Sequence, residues 1–79
     1  MRRMSELVRH QDPLVLPPET SVKHACECMR DRGARAVLVT DHSGRLVGIF
    51  TGRDAVCRML AEGKDPAATI LAKVMTRDP

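Results

Sequence analysis

Short apolar runs separated by turn-forming residues set the frame of this chain. Leu14, Val15 and Leu16 lie between Pro13 and Pro17 and predict a brief edge strand, because proline cannot donate to a ladder. In "ETSVKHACECMRDRG", Val22, Ala25, Cys26 and Met29 recur at helical spacing, Thr20 or Ser21 can cap the start, and Gly33 stands where a helix would stop. "RAVLVT", Arg35 to Thr40, has a continuous apolar centre, the pattern of a strand covered on both faces. "DHSG", Asp41 to Gly44, is a turn cluster, and "RLVGIF" beyond it completes an antiparallel hairpin. "AVCRMLAEG" predicts a second helix with Val56, Met59 and Leu60 on one face and Gly63 closing it. "KDPAA" is a loop, and "TILAKVM", Thr69 to Met75, fits a further turn or two of amphipathic helix.

The order strand, helix, strand, strand, helix defines a small α+β unit in which both helices can cover one sheet face. What covers the other face is open at this point. The two ends offer a clue: "LVRHQDP", Leu7 to Pro13, resembles "KVMTRDP", Lys73 to Pro79, with the valine and the closing Asp-Pro in register. That offset suggests a repeat of about sixty to seventy residues. Residues 1–11 then form a lead-in, residues 12–68 one repeat, and residues 69–79 the lead-in to a second, truncated one.

Composition narrows the class. A length of 79 residues allows one small domain with a modest core. A hydrophobic share of 43% and a charged share of 29% fit a folded, soluble chain. Phe50 is the sole aromatic, so the core is built from Val, Leu, Ile, Ala and Met and is expected to lean on a partner surface. Thirteen basic and ten acidic residues give +3, an excess that is spread along the chain. Without a basic focus or stacking aromatics, nucleic acid is not an expected partner. No apolar run approaches a membrane span, and Cys26, Cys28 and Cys57 have no disulfide-framework spacing. Reduced thiols in a cytoplasmic protein are the simplest expectation.

Candidate chemistry centres on "GIFTGRDAV", Gly48 to Val56, where an apolar run ends at once in a hydroxyl, a glycine, an arginine and a carboxylate. Thr51 and Asp54 can cap a helix reciprocally. The same groups suit a phosphorylated sugar: a carboxylate accepts from a vicinal diol, and free N–H groups at a helix start favour an anion. His24, Cys26 and Cys28 are not a metal set, since positions two apart on a helix face different sides. His10 and His42 fall in predicted loops. Met29, Met59 and Met75 are expected as filler in the core or at a dimer interface. There is no acid–base pair, activated nucleophile or Gly-rich phosphate loop, so no enzyme is expected.

"VLPPETSV" leading into an apolar helix, then "AVLVTDHSGRLVGIFTGRD" and finally "VMTRDP", in that order, resemble the cystathionine-beta-synthase (CBS) domain. The resemblance implies a β-α-β-β-α unit that pairs through a second repeat or an identical chain, most simply as a homodimer, forming a Bateman module. It implies an adenosine-containing regulatory ligand (AMP, ADP, ATP or S-adenosylmethionine), no covalent cofactor, and control of an attached or partner protein. Carried over, Thr51 would contact a phosphate and Asp54 the ribose hydroxyls. Gly52 would allow close approach and Arg53 would add charge. Ala36 and Val37 would wall the adenine, and backbone near Leu14 and Val15 would meet its edge. Arg9 and His10 depart from the "VM" and small polar residue present at Val74, Met75 and Thr76. The alternative is a structural dimerisation module in which Thr51 and Asp54 only cap a helix.

Overall fold

The turn at 41–44 organises the centre of the fold in the computed structural model, which describes residues 13–77. Asp41 Oδ1 accepts from the backbone N–H groups of Ser43 and Arg45 at 2.9 and 3.0 Å, and Gly44 takes the left-handed φ of 81° that closes the turn. β2 (Ala36–Thr40) thereby folds back into β3 (Leu46–Thr51), with Ala36 opposite Thr51 and Val37 opposite Phe50. β1 (Val15–Leu16) runs parallel to β2 at one edge, as expected of a proline-flanked strand.

The other edge was not expected. β4 (Thr76–Arg77) pairs antiparallel with β3, placing Thr76 opposite Ile49 and Arg77 opposite Gly48, so the sheet has four strands in the order β1-β2-β3-β4 rather than three. Two residues are too few for strand periodicity, and the pairing depends on where the preceding helical turn delivers them.

α1 (Val22–Arg32) connects β1 to β2. Its start is closed from two directions. Ser21 Oγ accepts from the His24 N–H at 3.1 Å, while Val22 N–H and Lys23 N–H donate to the carbonyls of Thr69 and Pro66 at 2.8 and 3.0 Å. Gly33, at φ 64°, ends the helix as its position in the sequence predicts. After β3, one α-turn, α2 (Gly52–Asp54), passes directly into a π-helical stretch, Ala55–Leu60: Ala61 N–H donates to Val56 and Lys64 N–H to Met59, each five residues back, while Gly63 N–H closes the end on Leu60. The wider winding changes which residues face inward. Met59 is buried as expected, but Val56 and Leu60, expected beside it, are 55% and 77% exposed. α3 (Leu71–Val74) is a single turn.

Both helical layers cover the same side of the sheet. Val22, Ala25, Met59, Leu71, Val74 and Met75 pack with Leu14, Val37, Val39 and Phe50 in one cluster. Each large apolar side chain fully buried there contributes about 1.5–3 kcal/mol. Met29 packs against its margin, so the three methionines singled out in the sequence are core or near-core filler. On the opposite side, register aligns Val15, Leu38 and Ile49 across three strands. Val15 and Ile49 are 45% and 38% exposed, and Leu38 is half-buried, so within this chain β2 is sealed on one face only.

The candidate site at the end of β3

Thr51 ends β3 and Asp54 closes the α-turn that follows, and the two make a complete capping box. Asp54 N–H donates to Thr51 Oγ1 at 3.4 Å, and Thr51 N–H donates to Asp54 Oδ2 at 2.9 Å. The box forms because the hydroxyl and the carboxylate stand three residues apart where extended backbone becomes helical, so each satisfies a donor the ladder and helix leave free. It also buries a carboxylate: Asp54 is only 6% exposed.

That burial is tolerable because the carboxylate is well supplied with donors. Thr51 Oγ1 donates to Oδ2 at 3.3 Å. Thr76 Oγ1, on β4, donates to Oδ1 at 3.0 Å, and Arg58 Nε stands 3.7 Å from the same oxygen. Arg58 Nη1 then donates to the Met75 carbonyl at 3.2 Å. Around this cluster lies a cavity of about 350 Å³ lined by Thr51, Arg53, Asp54, Cys57, Arg58 and Thr76. It holds one buried carboxylate, two hydroxyls and two guanidinium groups, a donor-rich lining suited to an anion bearing hydroxyls.

The structure brings Thr51, Arg53 and Asp54 together as the sequence suggested. Gly52 lies between them, and a Cβ built there meets nothing within 4 Å, so the approach over the turn is open. Ala36 is opposite Thr51 in the β2–β3 register, on the same face of the sheet. Val37 points the other way: its side chain is wholly buried in the core, so only its backbone is available to a ligand and the apolar wall is left to Ala36. Leu14 is likewise buried, and its carbonyl accepts from Leu38 N–H at 2.8 Å, while Val15 stays exposed at the sheet edge.

Cys57, Arg58 and Thr76 also line the cavity but were not nominated from sequence. Helical spacing from Asp54 would have found the first two, at i+3 and i+4. Nothing local points to Thr76. Elsewhere, Cys28 Sγ contacts His24 Nε2 at 3.6 Å, one turn apart on α1, and burial raises the Cys26 thiol above the ordinary cysteine value. Among the described residues no group of three His, Cys, Asp or Glu side chains could hold a metal ion, and no helix is long and apolar enough to cross a membrane.

An open four-stranded sheet with helices on one face and a hydroxyl–carboxylate corner at the end of its third strand is the architecture of a small α+β module. The sequence model of the CBS domain matches residues 4–61, and the chain belongs to the CBS-domain family. The CBS domain-containing protein CBSCBSPB3 of Arabidopsis thaliana is 42% identical over 77 residues, covering 98% of this chain but 14% of the relative's own length. A solved CBS-domain protein from Agrobacterium tumefaciens superposes with a TM-score of 0.78 at 30% identity, covering 91% of this chain and 55% of that one. A hexameric CBS-CP12 protein from bloom-forming cyanobacteria superposes with a TM-score of 0.75 at 25% identity, covering 85% and 38%. The lead-in at residues 1–11, His10, and the Asp-Pro at the far end of the repeat motif lie outside the described residues.

Proposed function

We propose that this chain is a non-catalytic regulatory module that takes an adenosine-containing metabolite, AMP, ADP, ATP or S-adenosylmethionine, at the Thr51–Asp54 corner. In this reading it acts in the cytoplasm on an attached or partner protein. The observation that carries the reading is the convergence of Asp54, Thr51, Arg53 and Arg58 on one cavity beside an open sheet face. Asp54 is the acceptor for the ribose diol, Thr51 and the arginines meet the phosphate, and Ala36 packs on the base. The apolar row of Val15, Leu38 and Ile49 is where a second repeat or an identical chain completes the module.

Calorimetric titration with AMP, ATP and S-adenosylmethionine, each in turn, tests this. Saturable binding of one ligand is expected, and Asp54→Ala is expected to abolish it. The same substitution removes a cap and should lower stability by about 0.5–2 kcal/mol. One observation favours the second reading, a structural pairing module without ligand: the capping box already engages both functional residues. Stable association in sedimentation, with all three ligands silent, would establish it.

A further inference from the structure

The Asp54 carboxylate is divided between two tasks. Oδ2 accepts from the N–H and the hydroxyl of Thr51, within its own turn. Oδ1 accepts from the hydroxyl of Thr76, which lies 22 positions further along the chain. A carboxylate offers about four lone-pair sites, so three donors leave roughly one free. A vicinal diol brings two donors. It can satisfy both on this carboxylate only by displacing a donor already there, and the capping bonds of Thr51 hold the helix start itself. The Thr76 hydroxyl is the replaceable one: its residue is exposed, and water can take over its bond.

Among the described residues, Thr76 and Arg77 themselves are held by few contacts. β4 is two residues long and pairs with β3 only at Ile49 and Gly48. Just before it, Met75 is anchored in the core, its N–H donating to the Leu71 carbonyl at 2.8 Å, its carbonyl accepting from Arg58 and its side chain seated against Gly48, where a Cβ would come within 2.6 Å of the sulfur. The Arg58 bond belongs to the same cluster, because Arg58 also faces Oδ1.

We infer that Thr76 is an internal competitor for the ribose-binding carboxylate, so that ligand binding exchanges the Thr76 hydrogen bond for a ligand hydroxyl and loosens β4 from the sheet. This rests on the nucleotide reading of the Asp54 site and adds to it a route by which occupancy reaches the segment leading out of the module. Occupancy and β4 docking oppose each other through a single oxygen atom.

The test is titration of the full chain with AMP, together with adenosine as the phosphate-free probe, for wild type, Thr76→Val and Thr76→Ser. Valine matches threonine in shape and lacks the hydroxyl; serine keeps it. Thr76→Val is expected to bind about ten- to a hundredfold tighter than wild type, the weight of one hydrogen bond to a charged carboxylate, and Thr76→Ser to return toward wild type. Hydrogen exchange over residues 75–77 is expected to speed up when AMP binds wild type, and to be fast already in ligand-free Thr76→Val. Equal or weaker binding by Thr76→Val, or exchange over 75–77 that AMP leaves unchanged, overturns the coupling while the nucleotide site stands. No binding of AMP, adenosine, ATP or S-adenosylmethionine to any of the three chains overturns the nucleotide reading and this inference together.

Discussion

Gly52 separates the two roles that meet at the Thr51 corner. Space for a Cβ is open there and its φ is not left-handed, so Gly52→Ala is expected to leave the fold intact, with stability unchanged or raised by up to about 1 kcal/mol through the unfolded chain. In the nucleotide reading, the added methyl nonetheless stands where the ligand approaches. A thermal melt that holds or improves alongside weaker AMP binding is the expected pair of results; unchanged binding would place the ligand elsewhere. The three free cysteines differ in their surroundings. Cys57 is exposed at the cavity, whereas burial holds the Cys26 thiol above its ordinary value and so keeps thiolate scarce. Timed alkylation followed by peptide mass analysis should find Cys57 modified first and Cys26 last, and AMP should slow the reaction at Cys57 alone. The pairing of Thr51 with Asp54 was legible because a capping box is a local pattern. Thr76 was not, because its contact is made by the return of the chain and no spacing within the "TGRD" segment encodes it.

At the scale of the element, the tightest constraint is the crossing of β3 and the segment before β4. A methyl at Gly48 would meet Met75 at its sulfur and at Cγ, 2.6 and 2.9 Å away, within a buried site. Gly48→Ala is therefore expected to cost about 1–3 kcal/mol through overpacking. Combined with Met75→Ala, which vacates the space, the loss should be clearly less than the sum of the two single losses, as denaturant unfolding of all four chains would show. The π-wound stretch gives the opposite expectation for a residue that the 3.6-residue pattern assigns to the core. Leu60→Gln should change monomer stability by no more than about 0.5 kcal/mol, because Leu60 is 77% exposed; a loss of several kcal/mol would mean that the winding is wrong.

These elements also show where sequence reading reached its limit. α1 was legible because Ser21 and Gly33 mark its two ends, and the hairpin because Asp41 and Gly44 carry turn chemistry. The faces of Val56 and Leu60 were not, since apolar spacing assumes a winding and the chain here adopts another. β4 was invisible because it exists only by pairing.

For the whole molecule, the governing fact is a sheet sealed on one side. Val15, Leu38 and Ile49 form a row that a monomer leaves partly in water, and the sparse aromatic content of the core already pointed to dependence on a neighbour. Ile49→Lys places a charge at one end of that row and is expected to shift sedimentation toward monomer while barely changing the far-ultraviolet spectrum of the subunit. Retained association would direct attention to the groove between α1 and the π-helical stretch, a cavity of about 580 Å³ whose lining includes Val22, Cys26, Met59 and Leu60.

The amides at the start of α1 carry a last consequence, one of timing. Two of the carbonyls they donate to belong to Pro66 and Thr69, and in return the N–H groups of Leu71 and Ala72 donate to the carbonyls of Thr20 and Pro18. Beginning and end are thus laced together, and two amides at the start of the first helix keep water as their partner until the residues beyond 66 are in place. During synthesis the N-terminal half must wait, unsealed, for the residues beyond 66, and a chain cut at residue 61 would lose these partners along with Leu71, Val74 and Met75 from the core. The segment that the family pattern marks out therefore stops short of residues that complete the core.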